Sequence, residues 1–402
     1  MTTSMHVSLT PALKRAPSPC TQDVLDPAGP RLCIGGAPDI DALAIPVKPD
    51  ASTTFGPRGA CLCGADGPLW IADTGHHRLL GWDRLPERDD QPADWLIGQP
   101  DFSREGRNAK GAASATTLNV PTGITRCGEG LAVADAWNHR VLIWHRMPRA
   151  HNTPADVVLG QADFTSVEAN RGAGEPTAQT LFWPYGVYSD GERLWVSDTG
   201  NRRVLMWHRT PRTNGAAADL VLGQSGFLSR DENGGGSPDA GSMRWPHAIA
   251  EADGRLLVTD AGNNRIMIWN AIPTVSGAPC DAVLGQRNFA DVDHNQSLYW
   301  PSDATLQMPY GVAAAGRWCL CADTANSRLI AWPAEDWRTG AAASALSGQV
   351  EFNAKGDNAW APPTRRSLCW PYAISVCAGI AVIADSGNNR ILVWDLAKEL
   401  RG

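Results

Sequence analysis

The chain has no apolar run approaching the roughly 18 residues that a membrane-spanning helix requires, so no such helix is expected. Nor does an apolar stretch follow Lys14 and Arg15, so Met1 to Cys20 lacks the make-up of a secretory signal and the expected compartment is the cytoplasm. Excess positive charge is missing as well. With 35 Lys and Arg against 42 Asp and Glu, the net charge is −7, which argues against nucleic acid, whose binding needs clustered cations. Of the nine histidines, none stands at a zinc-type spacing; His145 and His208 follow strand-ending tryptophans, and His76, His77 and His139 lie in hairpins. The ten cysteines follow the strands rather than a disulfide framework, as buried small hydrophobes do in a reducing compartment.

What is plentiful is turn-forming residues, 40 Gly and 29 Pro, beside 43% hydrophobic residues, a composition that reads as all-β. One phrase occurs six times. It begins at Asp73, Asp135, Asp198, Asp260, Asp323 and Asp385, reaches an Arg five residues later (Arg78, Arg140, Arg203, Arg265, Arg328, Arg390), and closes on Trp82, Trp144, Trp207, Trp269, Trp332 and Trp394. The aspartates are spaced by 62, 63, 62, 63 and 62 residues. A fixed period of this size means stacked or radial repeats rather than several unrelated domains.

A second phrase, an aliphatic pair (Leu-Ser in the fifth copy) followed by Gly-Gln, ends the first five units at Gly98, Gly160, Gly223, Gly285 and Gly348. Its counterpart at Gly35 precedes the first unit, whereas nothing similar follows Trp394. The N-terminal copy thus supplies what the last unit lacks, and a ring closed in this way hides its sheet edges. Each unit holds four strand-like runs with short links between the first three, an antiparallel meander. The expected fold is all-β: a six-bladed β-propeller of four-stranded antiparallel blades, closed by an N-terminal strand completing the last blade. Residues 30–397 form it, residues 1–29 are a loose N-terminal arm, and 398–402 are a C-terminal tail.

The Asp and Arg are expected to meet as a buried bidentate pair, structural rather than catalytic because six identical catalytic copies would serve no purpose. Gly75, Gly200, Gly262 and Gly387 in the hairpins are expected to take positive φ. In the long inter-blade loops Phe102, Phe164, Phe227, Phe289 and Phe352 each precede an Asn by six residues (Asn108, Asn170, Asn233, Asn295, Asn358). The Phe should plug the loop onto its blade and the Asn should tie off backbone groups.

The phrases Val-Ala-Asp-Ala-Trp-Asn-His-Arg-Val (133–141) and Val-Thr-Asp-Ala-Gly-Asn-Asn-Arg-Ile (258–266) resemble NHL repeats. The resemblance spans roughly residues 30–397 and implies the propeller. The units here exceed the forty-odd residues usual in that family, the excess lying in the inter-blade loops. Enzymes among related six-bladed propellers generally hold a metal on the axis between His or acidic ligands, and of those this chain offers only His247.

Positions that vary between repeats point to a site, since shared positions build the scaffold. Each innermost strand opens with Pro, and the residue after it should sit at the channel mouth on the loop-bearing face: Arg58, Thr122, Tyr185, His247, Tyr310 and Tyr372. Trp183, Trp245 and Trp370 stand just before the Pro. Such a set could bind an anionic or aromatic ligand, or could fill the axis as an aromatic plug. The function expected is a binding or scaffolding module, a monomer that engages a protein partner or small ligand on this face. Its rival is a metal-assisted lyase or hydrolase with His247 as base and Arg58 and Tyr310 stabilising an oxyanion. No metal or cofactor is assigned, although Cys63, Cys127 and Cys377, each six residues after the Pro, could converge at the opposite end of the channel and hold zinc, copper(I) or a cluster. Arg104, Arg107, Lys110, Arg171, Arg244, Lys355, Arg365 and Arg366 in the loops are interspersed with Glu105, Glu168, Glu175, Asp231, Glu232, Asp239, Asp291, Asp293 and Asp357, a mixed face that suits a protein or small ligand better than phosphate.

Overall fold

The structure, a computed structural model, describes residues 18–36, 48–89 and 91–401. Six four-stranded antiparallel sheets are arranged in a ring. Blade 2 is representative: Pro121–Cys127, Gly130–Asp135, Arg140–Trp144 and Val157–Leu159 run from the axis outward. The second and third strands carry almost no polar side chain except the Asp and Arg at their hairpin end, because both faces are covered by neighbouring blades. In register, Asp135 stands opposite Arg140, so the hairpin spacing itself sets the pair. Helical segments among the described residues are single 3-10 turns.

The sixth sheet combines Pro371–Cys377, Ile380–Asp385 and Arg390–Asp395 with Leu32–Gly35 as its outer strand, Leu32 opposite Val393 and Gly35 opposite Arg390. The indole N–H of each blade tryptophan shows how completely the N-terminal segment substitutes. Trp82, Trp144, Trp207, Trp269 and Trp332 donate to the carbonyl nine residues on. Trp394 donates instead to the carbonyl of Asp26, at 2.7 Å.

Residues 18–29 differ from the loose arm expected of 1–29. Val24 and Leu25 are buried, Asp23 bridges Leu346, Leu25 bridges Leu396, and Ser18 O accepts from Phe352 N–H. Residues 1–17 lie outside the described residues. The tail from 398 is also docked: Leu400 is buried, and Arg401 pairs with Asp26 at 2.7 Å. Apolar side chains in both segments explain the difference, since leaving them in water would cost about 1.5–3 kcal/mol each.

Candidate functional site at the channel mouth

Each Asp–Arg pair ties a blade to the loops on either side of it. The Arg Nε lies 2.7–3.1 Å from Asp Oδ2 in all six blades, with the pair fully or almost fully buried. The contact is through this one nitrogen rather than bidentate, because the rest of the guanidinium is engaged elsewhere. In blade 2, Arg140 Nη1 donates to Phe164 O and Nη2 to Ser114 O and Thr117 O, the carbonyls of the following and preceding loops. The other Asp oxygen, Oδ1, accepts the N–H two residues before the Pro, as from Asn119 at 2.6 Å. Burial nonetheless pushes the carboxyls of Asp198 and Asp385 above the usual range.

The loop Phe contributes its carbonyl to this clamp while its ring packs on the blade. The loop Asn makes amide–amide contacts with the hairpin Asn, reciprocal for Asn170 with Asn201 and Asn295 with Asn326, rather than capping backbone alone. Gly75, Gly200, Gly262 and Gly387 do not take positive φ; the left-handed residue comes two positions later, at His77, His139, Arg202, Asn264, Ser327 and Asn389. Close approach requires these glycines instead. A Cβ on Gly200 would lie 2.5 Å from Phe182 O, and in blade 2, where Trp137 occupies this position, the facing residue is the smaller Asn119.

Those left-handed hairpin residues position the rim. In five blades their side chain accepts the N–H of the residue just before the next blade's Pro: His77 from Val120, His139 from Trp183, Asn264 from Met308, Ser327 from Trp370 and Asn389 from Gly56. The five donor residues are themselves left-handed, φ 50–58°, a conformation that is costly for Val and bulky side chains. Arg202 has no acceptor to offer, and Trp245 correspondingly takes no positive φ and donates to Asp260 Oδ1. The outcome is a collar of exposed aromatics, Trp183 (44% exposed), Trp245 (39%) and Trp370 (50%), joined by Phe55 and by Trp137 on its hairpin.

Inside the collar the residues after the Pro line the channel. Tyr185 and His247 have ring centroids 4.8 Å apart, His247 and Tyr310 stack at 4.3 Å, and Tyr310 and Tyr372 at 4.5 Å. Arg58 closes the series, its guanidinium 4.6 Å from the Tyr372 centroid and its Nη1 donating to Tyr185 Oη at 3.3 Å. Thr122 is buried and donates to Tyr185 O, so blade 2 leaves a gap that Arg58 spans. His247 Nδ1 faces the Trp245 carbonyl at 3.0 Å. Burial among rings, with Arg58 nearby, lowers the imidazole to about 4, so it is neutral at pH 7. Burial raises the Tyr185 and Tyr310 phenols. This series and the inner strands together line a channel cavity of about 330 Å³, whose lining also includes Arg126, Tyr188 and Glu251.

Sequence reasoning missed several parts: Phe55 and Trp137 in the collar, the acceptors that position it, and Glu251 in the channel. The acceptors carried a signal, since the residue before each repeat Arg is a short polar or imidazole side chain in every blade except that of Arg202. Cys63, Cys127 and Cys377 do not meet as a set of three, although Cys377 lies within electrostatic reach of Cys61 and Cys63. Cys127 Sγ faces Thr210 Oγ1 at 3.2 Å while Cys63 faces Cys61, and among the described residues no group of three His, Cys, Asp or Glu is placed to hold a metal. The loop cations are largely engaged nearby, Arg171 with Gly160 and Gln179 carbonyls, Arg244 with Glu232, and Arg365 with Asp89.

No family model matches the chain. It is 23% identical over 356 residues to NHL repeat-containing protein 2 of Homo sapiens, a match covering 83% of this chain and 45% of that protein. The six blades are built on the repeated Asp-x-x-Asn-x-Arg hairpin. The chain fits an NHL-repeat β-propeller. It spans about half the length of that relative. The NHL propeller is also similar to a protein of unknown function from Bacteroides thetaiotaomicron (TM-score 0.51, 12% identical, 91% of this chain and 75% of that one). A streptogramin B lyase gives a TM-score of 0.43 at 14% identity, over 88% of this chain and 96% of that one. At such identities the likeness to solved structures is one of fold alone.

Proposed function

We propose that this NHL-repeat propeller is a binding module whose loop-bearing face receives a protein partner, with the aromatic collar as the contact surface. The observation that carries the reading is the collar itself: five large aromatic side chains exposed around one channel mouth, three of them tryptophans beside the Pro and two of those, Trp183 and Trp370, held in strained left-handed backbone. Exposed apolar groups clustered in this way mark interaction sites, and Trp is enriched among the residues that carry binding energy. Strain maintained in several blades by a dedicated acceptor is a cost that a solvent-facing ornament would not sustain.

The stacked series beneath the collar favours binding over chemistry. Arg58, Tyr185, His247, Tyr310 and Tyr372 already partner one another, and His247 Nδ1 faces its own strand's neighbour. They form a firm floor on which a side chain from the partner can rest. Local pairing of the loop cations supports a protein rather than a nucleic acid as occupant. No helix among the described residues is long and apolar enough to cross a membrane, and all ten cysteines are unpaired thiols, which supports work in a reducing compartment such as the cytoplasm. The short outer strands and closed ring support a monomer.

The test is quantitative affinity capture from source-cell extract with wild type, a Trp183→Ala/Trp370→Ala variant and an Arg209→Ala control in the connection after Trp207. A protein enriched by wild type and control but reduced at least about tenfold with the double variant is the expected result. Equal recovery by all three baits would overturn the assignment of the collar.

A further inference from the structure

The end of the channel away from the aromatic series holds a pair of thiols that the proposed binding role does not use. Cys61 lies on the innermost strand of blade 1, Gly59–Leu62, and Cys63 directly follows that strand, with their sulfurs 3.6 Å apart and one thiol donating to the other. Cys61 is buried and Cys63 is half-buried, so the pair sits in the protein wall with one member reachable from outside. The hydrogen bond from Cys63 holds the Cys61 thiol below its ordinary range. The side chain of Arg126 from blade 2 reaches over, its Nη1 donating to Cys63 O at 3.3 Å. The hydrogen bond to Cys61 and burial raise the Cys63 thiol, and burial raises that of Cys377 on blade 6; the positive charge of Arg126 partly offsets both rises and adds to the lowering at Cys61.

Two uses of such a pair differ in geometry. A disulfide favours Cα atoms about 5.5–6 Å apart. Residues two apart on an extended strand are separated by about 6.6 Å, near the limit of that bond. A metal bridging two sulfurs with bonds of about 2.3 Å spans any separation up to roughly 4.6 Å, which includes the one found. Charge then selects the ion. Two thiolates with a monovalent cation carry −1, which the neighbouring guanidinium offsets, whereas a divalent cation would leave the arginine charge unopposed within the cluster. Arg126 Nη2 meets Glu129 at 3.5 Å, both side chains well exposed, so that contact offsets little of its charge. Two sulfur ligands also fall short of the four a structural zinc site uses.

We infer that Cys61 and Cys63 form a bis-thiolate site for a soft monovalent cation of the copper(I) class, at the channel end remote from the aromatic collar. Thiolate ligands select such ions over harder ones. Loading releases the thiol protons and forms two metal–sulfur bonds, with no change in oxidation state. The site stands independently of the protein-binding role, because neither cysteine belongs to the collar.

The test is anaerobic titration of the reduced full-length protein with copper(I) buffered by bicinchoninate, following loss of the coloured chelate. Wild type should withdraw one equivalent, Cys63→Ser should withdraw it at least about tenfold less tightly, and Cys369→Ser, which removes a thiol on the other side of blade 6, should match wild type. Alkylation of Cys63 in wild type, read by peptide mass spectrometry, should be blocked by one equivalent of copper(I), which keeps the test valid if the serine variant folds poorly. Copper left wholly on the chelator by wild type, equal competition by Cys63→Ser, or unprotected Cys63 at one equivalent would each overturn the assignment.

Discussion

Replacing Arg140 by Leu removes the clamp of one blade and leaves the other five intact. The guanidinium is fully buried and serves the Asp135 carboxylate and three carbonyls, those of Ser114, Thr117 and Phe164. Its loss leaves Asp135, itself fully buried, with only the Asn119 N–H and the Asn138 amide as donors. Breaking a buried pair by removing one partner costs about 3–5 kcal/mol. The three carbonyls belong to surface loops that water can reach once they loosen, so they add roughly 1 kcal/mol rather than their full desolvation cost. A total near 5 kcal/mol, set against an unfolding entropy of roughly 0.8 kcal/mol/K for a chain of this length at ~2.1 cal/mol/K per residue, lowers the melting temperature by about 6 °C. Calorimetry of wild type, Arg140→Leu, Asp135→Asn and the double variant measures this directly. The double variant should recover about 1–2 kcal/mol relative to additivity, because a neutral amide in place of the carboxylate leaves no unpaired charge. Strict additivity, or a shift under about 1 °C for Arg140→Leu, would refute the view that the repeated pair is a structural clamp.

Other outcomes follow from the same geometry. Burial lowers the His139 imidazole to about 4, and its Nδ1 accepts the Trp183 N–H. Unfolding would let it titrate near 6.5, so its contribution is complete above about pH 6.5 and is lost as pH falls toward 4. The upper bound is about 3 kcal/mol, reduced by solvent screening to roughly 1–2. Denaturation midpoints from pH 7 to 4 should fall less for His139→Asn, which keeps an acceptor without the charge; identical slopes would contradict this. Gly200→Ala should cost about 1–3 kcal/mol by pressing on the Phe182 carbonyl and ring, and Phe182→Ala, which removes only the ring, should restore part of that loss. Deleting residues 1–36 removes the outer strand of the sixth blade and buries nothing in place of Val24, Leu25, Leu32 and Ile34, a loss of roughly 6–12 kcal/mol. A truncated protein that melts with the full chain would refute closure by that strand.

The fold was legible because period and register are properties of sequence. The 62- and 63-residue spacing fixed the number of blades, and the Asp-to-Arg spacing of five placed the pair across its hairpin. Details carried by non-local contact were not legible. Nothing local marks Gly200 as a close-approach glycine rather than a left-handed one, since the atoms it would meet belong to Phe182. Docking of residues 18–29 depends on partners more than 300 positions away. At the channel mouth, strand order was enough to bring Arg58, Tyr185, His247, Tyr310 and Tyr372 to one end. It could not tell that Thr122 would turn to the Tyr185 carbonyl, or that the rings would stack on each other. The thiol expectation failed for a related reason: Cys127 packs toward blade 3, whereas Cys61, two positions before Cys63, meets it.

Site-specific photo-crosslinking tests the binding role most directly. A photoreactive residue is placed in turn at position 183, at position 370 and, on the opposite face, at position 209, and each protein is irradiated in source-cell extract. The collar positions should give the same discrete protein adduct, competed away by unlabelled wild type and absent from position 209. Adducts that are absent from both collar positions, or equally strong at position 209, would contradict a partner seated on the loop-bearing face.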